Sequence, residues 1–234
     1  MKSRLILLLI ILLCGTLRVS AQHQIVKNLE KYDTQWIHFG FLLGVNSADF
    51  KVELNDSFHK QDSAIVITPI KQPGFNLGII ADVRIVDNLH FQFAPTLSFG
   101  QRNIEYQMVY ASGKEQIVIK KVESTFLEFP FELKLRSNRI NNYRIYAISG
   151  FKYMVDMVSQ AKVENDEQLV KLEKNDYGYT LGFGFDFYMP LFKFSPEIKM
   201  FQGIPNTLTA DPAVYTTSLK SLKSRIFTVS LIFQ

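Results

Sequence analysis

The chain has 234 residues, enough for one domain, and combines 47% hydrophobic residues with a formal net charge of +4. Its mean hydropathy is only +0.04, and past the N-terminus it has no run near the roughly twenty apolar residues a membrane helix needs. These figures exclude a helical membrane protein, while 20 Phe and 10 Tyr against one Trp point to strands.

Residues 1–21 read as a cleaved secretory signal peptide. Lys2 and Arg4 form the positive start, Leu5 to Leu13 the apolar stretch, and Val19-Ser20-Ala21 the small-residue cleavage site. Lipoprotein processing at Cys14 is the rival reading, but Leu13 stands where a small residue is wanted. Cleavage removes the single cysteine, and with it disulfides, thiol catalysis and Cys-based metal sites. It also removes Lys2, Arg4 and Arg18, which leaves 23 basic against 22 acidic residues. That balance gives no electrostatic case for nucleic-acid binding. Residues 22–35 are then a short periplasmic segment ahead of a domain at 36–234.

From Trp36 onward, eight stretches alternate apolar and polar side chains. Successive strand residues face opposite sides, so each stretch predicts a strand with one apolar and one polar face. The first, Trp36–Val45, sets Ile37, Phe39, Phe41, Leu43 and Val45 against His38, Gly40, Leu42 and Gly44. The second, Gly74–Ile85, sets Phe75, Leu77, Ile79, Ala81, Val83 and Ile85 against Asn76, Gly78, Asp82 and Arg84. The third, Leu89–Gly100, sets Leu89, Phe91, Phe93, Pro95, Leu97 and Phe99 against His90, Gln92, Ala94, Thr96 and Ser98. The fourth, Thr125–Arg136, sets Leu127, Phe129, Phe131, Leu133 and Leu135 against Glu128, Glu132, Lys134 and Arg136. The fifth, Tyr143–Val158, places Arg144, Gly150, Lys152 and Asp156 inside, and the sixth, Tyr177–Tyr188, places Asp186 there among glycines. The seventh, Lys193–Gln202, adds Glu197 and Lys199, and the eighth, Arg225–Gln234, adds Thr228 and Ser230, diluted by Ile226 and Ile232.

A soluble sandwich also alternates, but the apolar faces here are nearly free of charge while the other faces carry both signs. A Lys or Arg facing mid-bilayer costs about 2–4 kcal/mol, which accounts for the exclusion. The gaps between stretches run long, short, long, short, long, short, long, with short turns at 86–88, 137–142 and 189–192 and long loops at 46–73, 101–124, 159–176 and 203–224. The pattern predicts an all-β, eight-stranded antiparallel up-and-down transmembrane barrel in a bacterial outer membrane, facing membrane lipid, with short turns and both termini periplasmic. Ile104–Tyr110 and Ile117–Ile119 flank 111–114 as a hairpin rising above the membrane, and Asn165–Gln168 reads as a similar tip. Pro95, Pro130 and Pro196 lie inside strands and read as bulges or kinks. Trp36, Tyr143 and Tyr188 at one rim, with Tyr106 and Tyr177 at the other, read as interfacial girdles.

The inward charges are Asp82, Arg84, Glu128, Glu132, Lys134, Arg136, Arg144, Lys152, Asp156, Asp186, Glu197 and Lys199. An eight-stranded barrel is just wide enough for side chains to fill it. A structural, salt-bridged plug is therefore the reading, with a proton or solute path along the network as the sharper alternative. Glu128 and Glu132 lie roughly 13 Å apart by strand rise, too far for paired-carboxylate catalysis, so each is expected to pair with a Lys or Arg. His38 and His90 read as satisfied lumen histidines, since no metal-ligand spacing accompanies them. No His-x-Ser, Gly-x-Ser-x-Gly, phosphate loop or zincin helix occurs. No catalytic, cofactor or metal residue is assigned, and no small-molecule substrate is expected.

Ile37-His38-Phe39-Gly40-Phe41-Leu42-Leu43-Gly44-Val45-Asn46, followed by Ala48-Asp49-Phe50, resembles the opening strand of the PorT family, also called SprT in gliding bacteria. Gly74–Gly78, Phe91–Phe99 and Phe126–Lys134 are similar to the wider Bacteroidetes outer-membrane β-barrel family, over most of residues 36–234. Phe233 is similar to the terminal aromatic of an outer-membrane assembly signal, and the trailing Gln234 departs from it. The resemblance implies a non-enzymatic accessory component of type IX secretion and gliding motility, with other secretion-machinery proteins as partners. It brings no catalytic residues. The other function class that the long loops suit is a structural or adhesion barrel that binds external ligands, and a lipid-modifying enzyme is a third.

Overall fold

The computed structural model describes residues 26–54, 64–109, 115–158, 172–208 and 219–234. The leader with Cys14, the 111–114 tip and the Asn165–Gln168 tip lie outside them. The alternating stretches form β1 (Ile37–Leu54), β2 (Ala64–Ile70), β3 (Gln72–Val86), β4 (Leu89–Phe93), β5 (Thr96–Val109), β6 (Glu115–Arg136), β7 (Tyr143–Asp156), β8 (Asn175–Tyr188), β9 (Lys193–Gly203) and β10 (Leu219–Phe233). β2 leads into β3 across Lys71, and β4 and β5 are one strand in two pieces, so the ring has eight staves. Neighbours pair antiparallel around it, and β10 returns to β1 from Phe41–Phe233 to Leu54–Leu219. Closure removes the free edges on which an open sheet aggregates.

Burial follows the sequence alternation with inverted polarity. Along β8 exposed and buried residues alternate, and the exposed ones are Tyr177, Tyr179, Leu181, Phe183, Phe185 and Phe187 while Asp176, Thr180 and Asp186 are buried. Outward rings stack across strands, as Phe41 does on Phe233 and Phe75 on Phe99, at 5.0 and 4.7 Å between centroids. Each such pair adds about 0.5–1.5 kcal/mol beyond burial.

Four strands run farther than the eight alternating stretches, and β5 and β6 there form the hairpin expected of Ile104–Tyr110 and Ile117–Ile119, with Val109 opposite Glu115. β1 continues to Leu54, β5 to Val109, β6 begins at Glu115 and β10 at Leu219, while β2 lies wholly within the stretch read as loop. The physical reason is a reversal of polarity. Beyond the apolar band the inward positions turn greasy: Phe50, Ile104, Tyr106, Leu172, Leu219 and Leu222 form one buried cluster, packed by Val52, Ile67, Val118 and Leu208. The outward positions there include Lys51, Glu105 and Gln107, and among the described side chains Val66, Ile117 and Ile119 are the large apolar residues of β2 and β6 exposed at this height. A barrel end surrounded by water obeys the soluble rule, so a pattern sought as apolar-out misses β2 and the upper parts of β1 and β10.

The prolines produce gaps and not bulges. Phe93 pairs with Phe131 and Thr96 with Glu128 in one register, so Ala94-Pro95 and Phe129-Pro130 face each other across two missing rungs with no residue inserted. Ile79 N–H reaches Pro95 O at 3.1 Å and closes the other side. Pro196 likewise leaves a gap in the β8–β9 ladder between Gly184–Glu197 and Phe187–Phe194. The register shifts fall elsewhere, at Arg84/Val86 and Glu53/Leu54.

Candidate functional site: a filled lumen with two closed ends

The lumen is built in layers by the inward residues of consecutive strands. Nearest the short turns, β3 supplies Asp82, β4 His90, β6 Lys134 and Arg136, β8 Asp186 and β9 Lys193 and Ser195. His90 Nδ1 pairs with Asp82 and its Nε2 with Arg136. Lys134 lies 3.3 Å from Asp186 and 3.9 Å from Asp82, and Lys193 lies 3.9 Å from both carboxylates. The Ser195 hydroxyl donates to Asp186 at 2.6 Å. Burying an unpaired charge costs several kcal/mol, and here Asp82, Asp186, Lys134 and Lys193 are held against countercharges while Arg136 lies against His90.

One step farther in, Lys134 Nζ sits 3.6 Å above the Tyr146 ring, and the Tyr146 hydroxyl donates to Glu197 at 3.1 Å. The phenol fits because position 184 is glycine: a Cβ there would collide with it. Lys199 pairs with Glu132 at 3.1 Å and Glu197 at 2.8 Å, while Thr180 donates to Glu132 at 3.0 Å. Lys152 pairs with Glu128 at 2.8 Å. Thus Glu128 and Glu132 each lie against their own lysine. Between these layers Leu42, Ile80, Ala94 and Ile232 form an apolar plate, and Ala48, Phe126, Met154, Phe201 and Ile226 form another. A cavity of about 20 Å³ remains among Glu128, Glu132, Lys152 and Lys199, room for about one water.

At the far end Arg102 donates to Ser124 and Ser224, both at 2.9 Å, with its guanidinium over Phe50 and Phe126 at 4.5 and 4.8 Å. Asp156 and Asp176 are buried at the same end, and Asp156 accepts the Val158 N–H. The apolar cluster around Phe50 and Tyr106 lies above them.

The near end is closed by the segment ahead of β1. A 3-10 turn, Tyr32–Thr34, puts Tyr32 flat on His38 at 3.8 Å and edge-on to Tyr188 at 5.8 Å. His38 Nε2 meets Tyr32 O at 2.8 Å. Asp33 receives Arg139 and Arg144, each at 3.3 Å, and the Tyr188 hydroxyl at 3.1 Å. Burial works to raise the Asp33 carboxyl; the Arg144 charge, the Tyr188 hydrogen bond and Arg139 outweigh it and hold it below the usual Asp range. Asn28 caps the arrangement by donating to the Tyr188 carbonyl at 2.9 Å and taking part with Asn142 at 2.8 Å. Burial and the neighbouring Asp82 charge push the Tyr32 hydroxyl well above its ordinary range, so it stays neutral.

Of the twelve inward charges assigned from sequence, eleven face the lumen, and all eleven are well shielded from solvent. Arg84 does not join them: though still in register opposite His90, it lies at the short-turn rim, partly exposed, and pairs with Asp87. Tyr188 and Tyr106 are no girdle residues: both are fully buried, in the plug and in the far cluster, whereas Trp36, Tyr143 and Tyr177 remain exposed. Sequence reasoning missed Asp33, Arg102, Asp176 and Lys193. Parity alone would have found Lys193 and Tyr146; the other three lay in stretches read as loop or leader. Among the described residues no group of three or more His, Cys, Asp or Glu is placed to hold a metal, and no helix is long and apolar enough to cross a membrane, which says nothing about strands.

Eight antiparallel strands with an apolar outer wall and a charged, filled interior define an outer-membrane β-barrel. Residues 21–209 match the family described as outer membrane protein beta-barrel domain, and the chain belongs to that family. Among solved structures it is similar to the outer membrane protein OprG of Pseudomonas aeruginosa, at 13% identity over 84% of this chain and 91% of that one, TM-score 0.39. It is also similar to Ail, the attachment invasion locus protein of Yersinia pestis solved with the heparin analogue sucrose octasulfate, at 10% identity over 85% and 98%, TM-score 0.38. The N-terminal β-barrel domain of Pseudomonas aeruginosa OprF follows at 10% identity over 82% and 96%, TM-score 0.32. Comparison with curated proteins finds no match.

Proposed function

We propose that this outer-membrane barrel is a non-enzymatic accessory component of type IX protein secretion and gliding motility. It acts through protein contacts made by its long loops and its outer wall, with the short turns and both chain ends in the periplasm. What carries the reading is the resemblance of Ile37–Phe50 to the PorT family, with Gly74–Gly78, Phe91–Phe99 and Phe126–Lys134 similar to the wider Bacteroidetes outer-membrane β-barrel family. The lumen supports it: the cavity among Glu128, Glu132, Lys152 and Lys199 has room for about one water, so a solute path is disfavoured and the surfaces are left to act.

The test is a clean deletion, complemented with the full chain. Loss of cargo secretion and surface motility, both restored by complementation, is the expected result; intact secretion and motility in the deletion strain reject the reading. Shortening the loops around 55–63 and 209–218 separates it from the adhesion class, which predicts lost attachment with secretion unimpaired.

A further inference from the structure

The outward wall changes character abruptly on the β9–β10–β1–β3 sector. Along β1 and β10 the outward residues are apolar through Val45 and Val229, and then the rungs read Ser47–Phe227, Asp49–Arg225 and Lys51–Lys223. Lys71, exposed between β2 and β3, borders the same place. A notch of about 220 Å³ opens here, walled by Ser47, Asp49, Lys71 and Arg225 and floored by Met200 and Phe227.

Three features of the notch ask for an anion. Asp49 grips Arg225 through Nε at 2.9 Å and Nη2 at 3.1 Å, which aims the guanidinium and leaves Nη1 outside the fork. Lys51 stands directly opposite Lys223 on the next rung, an arrangement that repels itself unless a counterion lies against it. Around the notch and on the rung above it, four cations, Lys51, Lys71, Lys223 and Arg225, stand with two carboxylates of β1, Asp49 and Glu53, among the described residues. The apolar floor adds a fourth feature: Met200 and Phe227 are 40% and 49% exposed, in line with the greasy belt below. A ligand for such a place has a multiply charged anionic head and a hydrocarbon tail.

We propose that this notch holds the phosphorylated headgroup of a membrane lipid in the leaflet at the long-loop end, with an acyl chain lying along Met200 and Phe227. Arg225 and Lys71 meet the phosphate from two sides, since guanidinium and ammonium groups both suit phosphate oxygens. The Lys51–Lys223 rung takes a second phosphate or sugar-borne charge. The inference rests on the barrel lying in the outer membrane and not on its role in secretion, so the two tests fail independently.

The experiment uses the full barrel folded in detergent, with folding scored by its heat-dependent gel shift. Native mass spectrometry follows retention of bisphosphorylated lipid A and of the same lipid with its phosphates removed. The expected result is retention of the phosphorylated form, weakened by about tenfold or more in K51Q/K71Q/K223Q. These lysines have no ion-pair partner among the described residues, so the variant folds like the parent. Equal retention of the two lipids, or retention unchanged in the triple variant, overturns the proposal. Thermal stabilisation by millimolar inorganic phosphate equal to that by the phosphorylated lipid assigns the notch to a free anion and overturns it as well.

Discussion

Two carboxylates show what single residues do in this barrel. Asp33 joins a plug to the ring through Arg139, Arg144 and Tyr188. Because its folded pKa lies below its unfolded one, its contribution is present above the ordinary Asp value of about 4 and fades as pH falls through the folded value. The emission of Trp36, the chain's single tryptophan, is expected to shift as pH drops from 6 to 3, and to stay flat in Asp33→Asn, in which the plug is already weakened by about 1–2 kcal/mol. Glu132 belongs to a different situation, fully enclosed with Lys199 between it and Glu197. Lys199→Met leaves two carboxylates without their cation and should cost about 3–5 kcal/mol in urea unfolding from detergent, while adding Glu132→Gln and Glu197→Gln should recover most of the loss. Such residues were half legible in the sequence. Parity assigned Glu132 and Lys199 to the inside, because alternation is local. Asp33 gave no signal, because its partners lie more than a hundred positions away.

At the level of the strand, the environment outside decides the pattern. Within the lipid band the outer face excludes charge, and the position along the strand sets the penalty. Phe183→Arg, in the middle of β8, should cost about 2–4 kcal/mol, and Leu191→Arg, in the turn and 90% exposed, about 0–1. The comparison is made by refolding titrations into vesicles; equal costs at the two positions would contradict the lipid-facing assignment. The same logic explains which strands could be read from sequence. Ile37–Val45, Leu89–Phe99 and Tyr177–Tyr188 announce themselves because nearly all their large apolar residues point one way, Leu42 and Tyr188 apart. Ala64–Ile70 hides, since above the band Ile67 packs inward while Val66 faces out, and Pro69 discourages a strand assignment. Proline reads from its missing N–H as a bulge or a kink. The structure instead lets two prolines share one gap, which spares the register on both sides.

The molecule as a whole is a cylinder packed solid at three heights and closed at both mouths. In planar bilayers it should show no steady conductance, and removing residues 26–35 should not create any, because the layer of Asp82, Lys134, Asp186 and Lys193 remains beneath the apolar plates. Stable nanosiemens-scale openings in either form would count against a filled interior. The closing segment also fixes an order of events. Asn28 and Asp33 come early in the chain, yet the groups they grip, Arg139, Asn142, Arg144 and Tyr188, arrive with the turn after β6 and with β7 and β8, the fifth and sixth of the eight staves. The leading end of the polypeptide therefore has nothing to hold until the wall is nearly finished. Seating it is a late step of biogenesis, and a cleavage site placed near residue 30 would be cut in stalled intermediates and spared in completed barrels, turning a stretch of ten residues into a timer for assembly.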